Sequence, residues 1–306
     1  YTTLRNDNTE ITTIAGKLGN YADGTGENAE FRYLNKMLRI GTDLYVSDDN
    51  RIRKVDSATG AVSTLQISGD SYNYIDRWTS DGTDIYFSSH YSSSGVSGYK
   101  LYKMSSTGVV SELDMVSDNV SANYIFSNYL YGLTSDGTDL FASSGSGSSM
   151  QFHRITLQPG SGGTNMVTPY TTGGEYLSYL NGMEKIGDSI FALYSNKIYE
   201  IELSGSSATV STVSMSGTDN STSNYYERMT SSGDTLYLSG SGSGSYSMIR
   251  SVFRVSLGVG DNGSTTGGVT QIHPAVTAAS YYSTGMEVPL QYFNDFTADG
   301  SAFYVA

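Results

Sequence analysis

Apolar and polar residues alternate in short runs along most of the chain. A glycine-containing turn followed by an alternating apolar segment recurs six times. This pattern predicts β-hairpins, because glycine accepts the positive φ that tight hairpin turns need. No segment shows the apolar period of an amphipathic helix. The six copies are Ile40–Ser47, Asp81–Ser88, Asp136–Ser143, Ile186–Leu193, Ser232–Ser239 and Asp299–Ala306.

Further alternating segments accompany each copy. An aromatic segment precedes the turn in all six copies and opens at Tyr33, Tyr74, Tyr129, Tyr179, Tyr225 and Tyr292. A third segment follows at Ile52–Val55, Leu101–Met104, Phe152–Ile155, Ile198–Ile201 and Val252–Val255. A fourth follows at Val62–Leu65, Val110–Leu113, Asn165–Thr168, Val210–Val213 and Val269–Ile272. Four antiparallel strands in each of six copies, about 51 residues apart in a chain of 306, predict an all-β, six-bladed β-propeller.

The two ends of the chain complement each other. The sixth copy supplies only two strands before the sequence stops at Ala306, and the missing two match Tyr1–Leu4 and Ile11–Ile14. We therefore expect one domain over residues 1–306, whose last blade is closed by strands from both termini, which removes open sheet edges. The expected blades are 33–65, 74–113, 129–168, 179–213, 225–272, and 292–306 together with 1–15.

The first copy carries the most specific motifs. They are Thr12–Gly16, Tyr21–Gly26, Glu30–Asn35, Asp43–Asp48 and Asn50–Asp56. Over residues 12–65 this run resembles one repeat of the NHL β-propeller family, and the other copies match it in degenerate form. The Pro-x-Gly that usually follows the family's asparagine is absent, since Lys36 and Met37 follow Asn35.

The resemblance implies a recognition module, because NHL propellers serve mainly to bind protein, RNA or other partners. Some relatives are enzymes, including an amidating lyase that uses zinc and calcium. We carry over no catalytic residue, since the zinc of that lyase needs several histidines that converge on the axis. Here His90 falls in a long loop, His153 in a third strand and His273 at the end of a fourth.

The amino-acid composition argues against several classes of partner and of catalytic chemistry. The chain has 17 basic and 30 acidic residues, a formal net charge of −13 and no cysteine. The acidic balance argues against nucleic-acid and anionic-membrane partners, since both are polyanions. The lack of cysteine excludes thiol catalysis and Cys-ligated zinc, and no apolar run is long enough to span a membrane. Few charges and many Ser, Thr, Gly and Tyr residues favour an extracellular or cell-surface protein of a prokaryote.

The six tyrosines that open the aromatic segments are the main candidate binding residues. They would form a collar around the axis of the top face and grip a sugar or a peptide. The alternative is that each ring packs between neighbouring blades with its hydroxyl toward water. Long Ser/Gly-rich loops predicted on the same face hold Tyr91 and Tyr246. Such loops often bind ligands when a rigid scaffold carries them, although they could also be solvated hairpins without a partner.

Several acidic residues are candidate ligands for Ca²⁺, because Ca²⁺ is bound by oxygen atoms. The candidates are Asp23, Asp48 and Asp49 in acidic turns, with Asp76 and Glu227 in a polar ring two residues after the tyrosines. Asp-Gly turns commonly occur without metal, and Lys36, Arg77 and Arg228 beside the ring can neutralise its acids. The axis would then be a hydrogen-bonded, water-filled channel. We expect that folding requires no cofactor, and Ca²⁺ is the candidate ion for these acidic residues.

Two hypotheses of function follow. The first is a non-enzymatic binding or assembly module of a secreted or cell-surface protein, which recognises a protein or glycan through its top face. The second is a metal-assisted lyase or hydrolase with its site at the top centre of the propeller. We expect the chain to be a mature fragment or a segment of a longer surface protein, with self-assembly or a fused domain left open.

Overall fold

β-Strands make up almost all of the regular structure. The computed structural model describes residues 2–5, 11–118, 124–145, 149–158, 164–174, 177, 179–216, 225–241, 250–259, 265–273, 295–298 and 302–305. Val, Ile, Leu, Tyr and Phe alternate with polar residues in these segments, which favours half-buried strands over helices. Within the described ranges, no helix has the length and hydropathy to cross a membrane.

The strands are short and follow one another closely. The first fifteen are β1 (Thr2–Arg5), β2 (Ile11–Thr13), β3 (Lys17–Leu18), β4 (Gly24–Thr25), β5 (Glu30–Phe31), β6 (Leu34–Ile40), β7 (Asp43–Asp48), β8 (Arg51–Asp56), β9 (Ala61–Thr64), β10 (Ser68–Gly69), β11 (Trp78–Ser80), β12 (Ile85–Ser93), β13 (Val96–Met104), β14 (Val109–Glu112) and β15 (Met115–Val116). The others are β16 (Leu130–Ser135), β17 (Asp139–Ser144), β18 (Gln151–Thr156), β19 (Asn165–Gly174), β20 (Gly182–Ile186), β21 (Ser189–Tyr194), β22 (Lys197–Ser204), β23 (Ser207–Thr212), β24 (Ser214–Ser216), β25 (Tyr225–Ser232), β26 (Thr235–Ser241), β27 (Arg250–Val259), β28 (Thr265–His273), β29 (Phe296–Ala298) and β30 (Ala302–Val305). A 3-10 turn, Gly26–Asn28, lies between β4 and β5.

The chain divides into two compact units. Unit 1 comprises Tyr1–Thr64, Ser195–Lys197 and Val213–Ala306, and unit 2 comprises Leu65–Tyr194 and Ile198–Thr212. The described strands of each unit include three sheets with a four-stranded antiparallel core, most of them meanders of consecutive strands. A meander of this kind buries its faces only by packing against neighbouring sheets.

Unit 1 contains the meanders β6–β9 and β25–β28 and a third sheet in the order β2-β1-β30-β29. The first strands β25, β29 and β6 contact each other in that order. Ala15, Phe31, Leu44, Val46 and Tyr304 belong to one buried cluster in this unit. Most of these buried residues are the apolar members of the alternating segments.

Unit 2 contains the meanders β11–β14, β16–β19 and β20–β23, and its first strands β11, β16 and β20 also lie side by side in order. Its core includes Phe152, Leu177 and Ile201 in one cluster and Leu101 and Phe126 in another. Consecutive meanders whose first strands adjoin are arranged like neighbouring blades of a β-propeller. The predicted all-β, propeller-type architecture is confirmed at this level in each unit.

One sheet is built from both ends of the chain. β1 pairs with β30 with Thr3 opposite Tyr304, and β2 pairs with β1 with Thr3 opposite Thr12. The N-terminal strands therefore supply the third and fourth strands of the sheet that begins with β29.

The outermost strand of a blade pairs with a short strand from the segment that precedes that blade in the chain. β10 pairs in parallel with β14, β15 with β19, the end of β19 with β23, and β24 with β28. In the first meander β4 pairs antiparallel with β9. These pairings satisfy backbone groups that would otherwise face water at a sheet edge. In the sheet closed from both termini, no described segment pairs with the outer side of β2.

Two local features differ from the simple period-2 expectation. The register shifts where β6, β16 and β25 begin, so the tyrosine segments leave the regular ladder. The predicted loop Ser88–Gly98 is instead a paired extension of β12 and β13 that turns at Ser94 and Gly95, with φ of 51° and 82°. Positive φ at both central residues is the geometry of a tight hairpin turn.

Closure of the terminal sheet can be tested by crosslinking. The chain has no cysteine, so a double variant Arg5→Cys with Ala302→Cys is a clean background. These residues are Cα partners between β1 and β30, and such partners lie about 4.5–5.5 Å apart, which a disulfide can span. We expect a disulfide that raises the free energy of unfolding by about 2–4 kcal/mol, because it closes a loop of nearly the whole chain.

The control for this crosslink is Arg5→Cys with Phe303→Cys, which moves the second cysteine by one residue and so to the opposite sheet face. Non-reducing electrophoresis and melting with and without reductant report both variants. Equal crosslinking of the shifted pair, or none in the matched pair, would show that the register is wrong.

Candidate functional site

The tyrosine segments before the first strands are held by side chains of the second strand. In unit 2, Ser89 Oγ accepts the backbone N–H groups of Asn73 and Tyr74 at 3.2 Å each. Ser88 Oγ accepts the Arg77 N–H at 3.1 Å, and the Asp76 N–H donates to the Ser88 carbonyl at 2.9 Å. The segment is thus fixed to the sheet although it has left the ladder.

Unit 1 repeats this device in its first meander. Ser47 Oγ accepts the Lys36 N–H at 2.9 Å, and Asp48 Oδ1 accepts the Tyr33 N–H at 2.8 Å. The repeat carries a signal for this arrangement. A serine recurs at the same position of the repeat, at Ser47, Ser88, Ser143 and Ser239.

Aromatic rings form a continuous contact series across unit 2. The ring centroids of Tyr99 and Tyr129 are 5.1 Å apart, those of Tyr129 and Tyr131 4.8 Å, and those of Tyr131 and Tyr179 5.1 Å. The first and last of these pairs are edge-to-face, at interplanar angles of 76° and 82°. Such pairs stabilise each other beyond their buried area, so the series is a fixed platform.

A carboxylate and a guanidinium lie beneath this platform. Asp76 is buried, and its Oδ1 accepts the Tyr129 hydroxyl at 2.6 Å. Arg77 donates from Nε to the Tyr131 carbonyl at 3.0 Å and from Nη1 to the Asp76 carbonyl at 3.3 Å. Its Nη1 is also 3.7 Å from Asp76 Oδ1, and its Cζ lies 5.6 Å from the Tyr129 ring centroid. These contacts set the height and tilt of the Tyr129 and Tyr131 rings.

The hydroxyls of Tyr99 and Tyr129 stay protonated at neutral pH. Burial, with added effects of the hydroxyl of Tyr74 and the charge of Asp76, raises the pKa of Tyr99 to about 12. Burial and the hydrogen bond to Asp76 raise the pKa of Tyr129 well above its ordinary value. The tyrosines therefore act as neutral hydrogen-bonding groups and not as phenolate bases.

Beside the platform is a concave pocket of about 380 Å³. We call its lining the aromatic mouth, which consists of Arg77, Tyr129, Tyr131, Tyr179, Leu180 and Asn181. The lining residues come from the segments before β11 and β20 and from the start of β16, so all of them belong to unit 2.

Tyr179 is the most exposed part of the mouth. It is 67% exposed and has a φ of 54°, in the left-handed region that bulky residues seldom adopt. Its neighbour Leu180 is buried, and the N–H of Asn181 donates to the Leu193 carbonyl at 2.8 Å. The backbone is thus anchored on one side of Tyr179 while its ring is presented to solvent.

The other predicted tyrosines fall into different environments. Tyr33 and Tyr74 are 61% and 50% exposed, whereas Tyr129 is half-buried in the platform. Tyr91 lies on the β12–β13 extension under the Lys100 ammonium, whose Nζ is 3.9 Å from the ring centroid. Only the backbone of Tyr225 is described, as the first residue of β25, and Tyr246 and Tyr292 lie outside the described residues. The binding roles of these tyrosines outside the mouth stay predictions.

Two of the acidic candidates, Asp23 and Asp48, contact a buried arginine. Arg53 has a fully buried side chain, and its guanidinium donates to Asp48 Oδ2 at 2.8 Å and to Asp23 Oδ1 at 3.1 Å. Burial acts to raise the pKa of Asp23, but hydrogen bonds from Thr64 and the charge of Arg53 outweigh it and hold the pKa below its ordinary value. Burial of Arg53 is not predicted by the alternating pattern, because Arg53 stands in a basic strand segment beside Arg51 and Lys54.

The remaining acidic candidates, Asp49 and Glu227, have different neighbours. Asp49 is exposed and accepts the Tyr21 hydroxyl at 2.9 Å, while Glu227 is half-buried next to Arg228. Among the residues that the structure describes, no three His, Asp or Glu side chains are grouped as metal ligands would be. Calcium binding and the metal-assisted lyase or hydrolase both stay predictions.

His153 forms a buried pair with Ser144. It is 1% exposed, its Nε2 lies 2.8 Å from Ser144 Oγ, and the Phe126 ring packs edge-on at 5.0 Å. Burial lowers the pKa of His153 to about 4. Both side chains are closed to solvent, so we assign the pair a structural role.

Comparison with known proteins adds little to this geometry. No family model and no curated protein matches the chain, so the NHL resemblance is not confirmed. The N-terminal domain of Nup159 is 11% identical over 91% of this chain and 74% of its own, with a TM-score of 0.48. The extracellular domain of a putative hybrid two-component system from B. thetaiotaomicron is 9% identical over 89% of this chain and 40% of its own, with a TM-score of 0.41. These likenesses are too weak to carry an argument about function.

The buried histidine predicts a pH-dependent stability. The pKa of His153 is lowered from its ordinary value of 6.5 to about 4 in the folded chain. Between pH 6.5 and pH 4, His153 is therefore protonated in the unfolded chain and neutral in the folded chain. Stability should therefore fall as the pH drops from 6.5 toward 4, by about 3 kcal/mol from this residue. Urea unfolding at pH 7, 5.5 and 4.5 should show that the substitution His153→Gln removes this part of the slope. His90→Gln, on the β12–β13 extension, is the control, and an identical slope in wild type and His153→Gln would refute the assignment.

Proposed function

We propose that this chain is a non-enzymatic binding module of a secreted or cell-surface protein, and that a protein or glycan partner binds at the aromatic mouth. In this proposal the fold is the six-bladed β-propeller that the sequence pattern predicts, and the mouth is its ligand-binding site. The low content of charged residues, 15%, and the Ser, Thr, Gly and Tyr-rich surface segments support an extracellular setting.

The exposed ring of Tyr179 is the observation that carries the proposal. A tyrosine in the left-handed region costs about 1–2 kcal/mol relative to ordinary backbone. An aromatic ring that is 67% exposed returns little of this through burial. A contact that forms only when a ligand is bound gives this strained, exposed residue a use.

The structure beneath Tyr179 supports the same function. Asp76, Arg77 and Ser88 hold the platform through the hydrogen bonds described above, and Tyr131 meets Tyr179 edge-to-face at 5.1 Å. A ligand would therefore find rings whose positions are already fixed. Such preorganisation raises affinity because less side-chain entropy is lost on binding.

The test uses two substitutions at Tyr179 and a panel of immobilised glycans and peptides. Tyr179→Ala removes the ring, and Tyr179→Gly removes the ring and the left-handed strain together. We expect both to lose the wild-type ligand by tenfold or more, as anchoring aromatic residues do. Tyr179→Gly should be no less stable than wild type, because glycine adopts this φ without strain.

The control is Leu18→Ala, which removes an apolar side chain that is 85% exposed and lies in unit 1, outside the mouth. It should bind the ligand as the wild type does. Binding that survives both Tyr179 variants, or a Tyr179→Gly variant that unfolds, would count against the mouth as the site.

A further inference from the structure

We infer that the ligand of the aromatic mouth is a neutral saccharide, held by stacking of a pyranose face on Tyr179. This rests on the proposed function and names the ligand class for the same site. The charges, the hydrogen-bonding groups and the ring faces of the mouth together select this class.

A cationic ligand is disfavoured because the mouth already contains its own cation. The guanidinium carbon of Arg77 lies 5.6 Å from the Tyr129 ring centroid. That is the position an ammonium ligand would take in an aromatic cage, within about 6 Å of a ring. A bound ammonium group would have to displace the Arg77 guanidinium from this position.

An anionic ligand is disfavoured because the positive charge is compensated. Asp76, which is buried, places its Oδ1 3.7 Å from Arg77 Nη1. The chain as a whole carries a formal charge of −13, so a carboxylate or sulfate approaching the mouth meets no net attraction.

The hydrogen-bonding groups of the mouth disfavour an apolar ligand and an extended peptide. Arg77 lines the pocket, and covering its charged guanidinium with an apolar ligand would leave N–H donors unsatisfied. A peptide strand needs free backbone groups to pair with. The N–H groups of Asp76, Arg77 and Asn181 already donate to Ser88 and Leu193.

A saccharide satisfies each of these conditions. The C–H bonds on one face of a pyranose suit the electron-rich face of an aromatic ring, and Tyr179 is 67% exposed as a residue. Among the described residues, the hydrogen bonds of Arg77 engage Nε and Nη1, so its Nη2 donors can reach sugar hydroxyls. The pocket, about 380 Å³, is at the low end of the small-ligand range of roughly 300–1,000 Å³, which suits one or two sugar rings.

The experiment measures binding of charged and neutral oligosaccharides to the whole chain by calorimetry. A glycan array first ranks the neutral sugars. The neutral probes for calorimetry are then cellotetraose, mannotetraose and N-acetylated chitotetraose. The charged probes are deacetylated chitotetraose, which is cationic, and tetragalacturonate, which is anionic. We expect a neutral sugar to bind with an affinity that changes less than twofold between 50 and 500 mM NaCl, and at least tenfold more weakly to Tyr179→Ala.

Matched variants separate stacking from other contributions. Tyr179→Phe keeps the ring and should bind within threefold of wild type, and Leu18→Ala should leave binding unchanged. A ligand that is charged and salt-sensitive, or a peptide, and that is lost in Tyr179→Ala would overturn the saccharide inference while the proposed function stands. A neutral sugar that binds Tyr179→Ala as well as wild type, or an array on which no neutral sugar binds, would overturn the inference as well.

Discussion

The structure depends on how each four-stranded sheet treats its outer edge. A short meander presents two apolar faces, which must be buried for stability, and an outer row of unpaired backbone groups, which invites pairing with other chains. The faces are buried by neighbouring sheets, as the adjoining first strands show in both units. The edges are covered by short segments such as β10 and β24, which pair with the outermost strand of the blade that follows them.

The same arrangement explains why the candidate site lies where the first strands begin. The outermost strands pair with the segments that precede their blades. The tyrosine segments, in contrast, leave the ladder through register shifts or an irregular backbone. Serine side chains such as Ser47 and Ser88 replace the missing backbone pairing and hold these segments in place. This leaves aromatic and polar side chains on fixed backbone without burying them, which is the condition for a preorganised surface.

Much of the architecture could be predicted from the sequence, because an alternating segment has one way to place its apolar residues on a sheet face. The hairpin turns, the order of the strands and the pairing of both termini follow from that rule. The positive φ of Tyr179, the register shifts and the paired β12–β13 extension could not be predicted, since they arise from packing between sheets and not from local preference. Burial of Arg53 between Asp23 and Asp48 is a further case, because a charged side chain enters a core only where tertiary partners compensate it.

The sequence pattern identified Tyr129, Tyr179 and Asp76 as candidate site residues. It did not predict that the three residues have different roles in the site. One tyrosine supports the platform, one is presented to solvent, and the acid holds a hydroxyl where a metal ligand had been considered. The most direct measurement of this account is a crystal structure of the chain soaked with the neutral oligosaccharide that binds it most tightly. We predict a sugar ring within about 4 Å of the Tyr179 ring, with hydroxyls bonded to Arg77. A ligand bound at any site outside the aromatic mouth, with the Tyr179 ring uncovered, would contradict it.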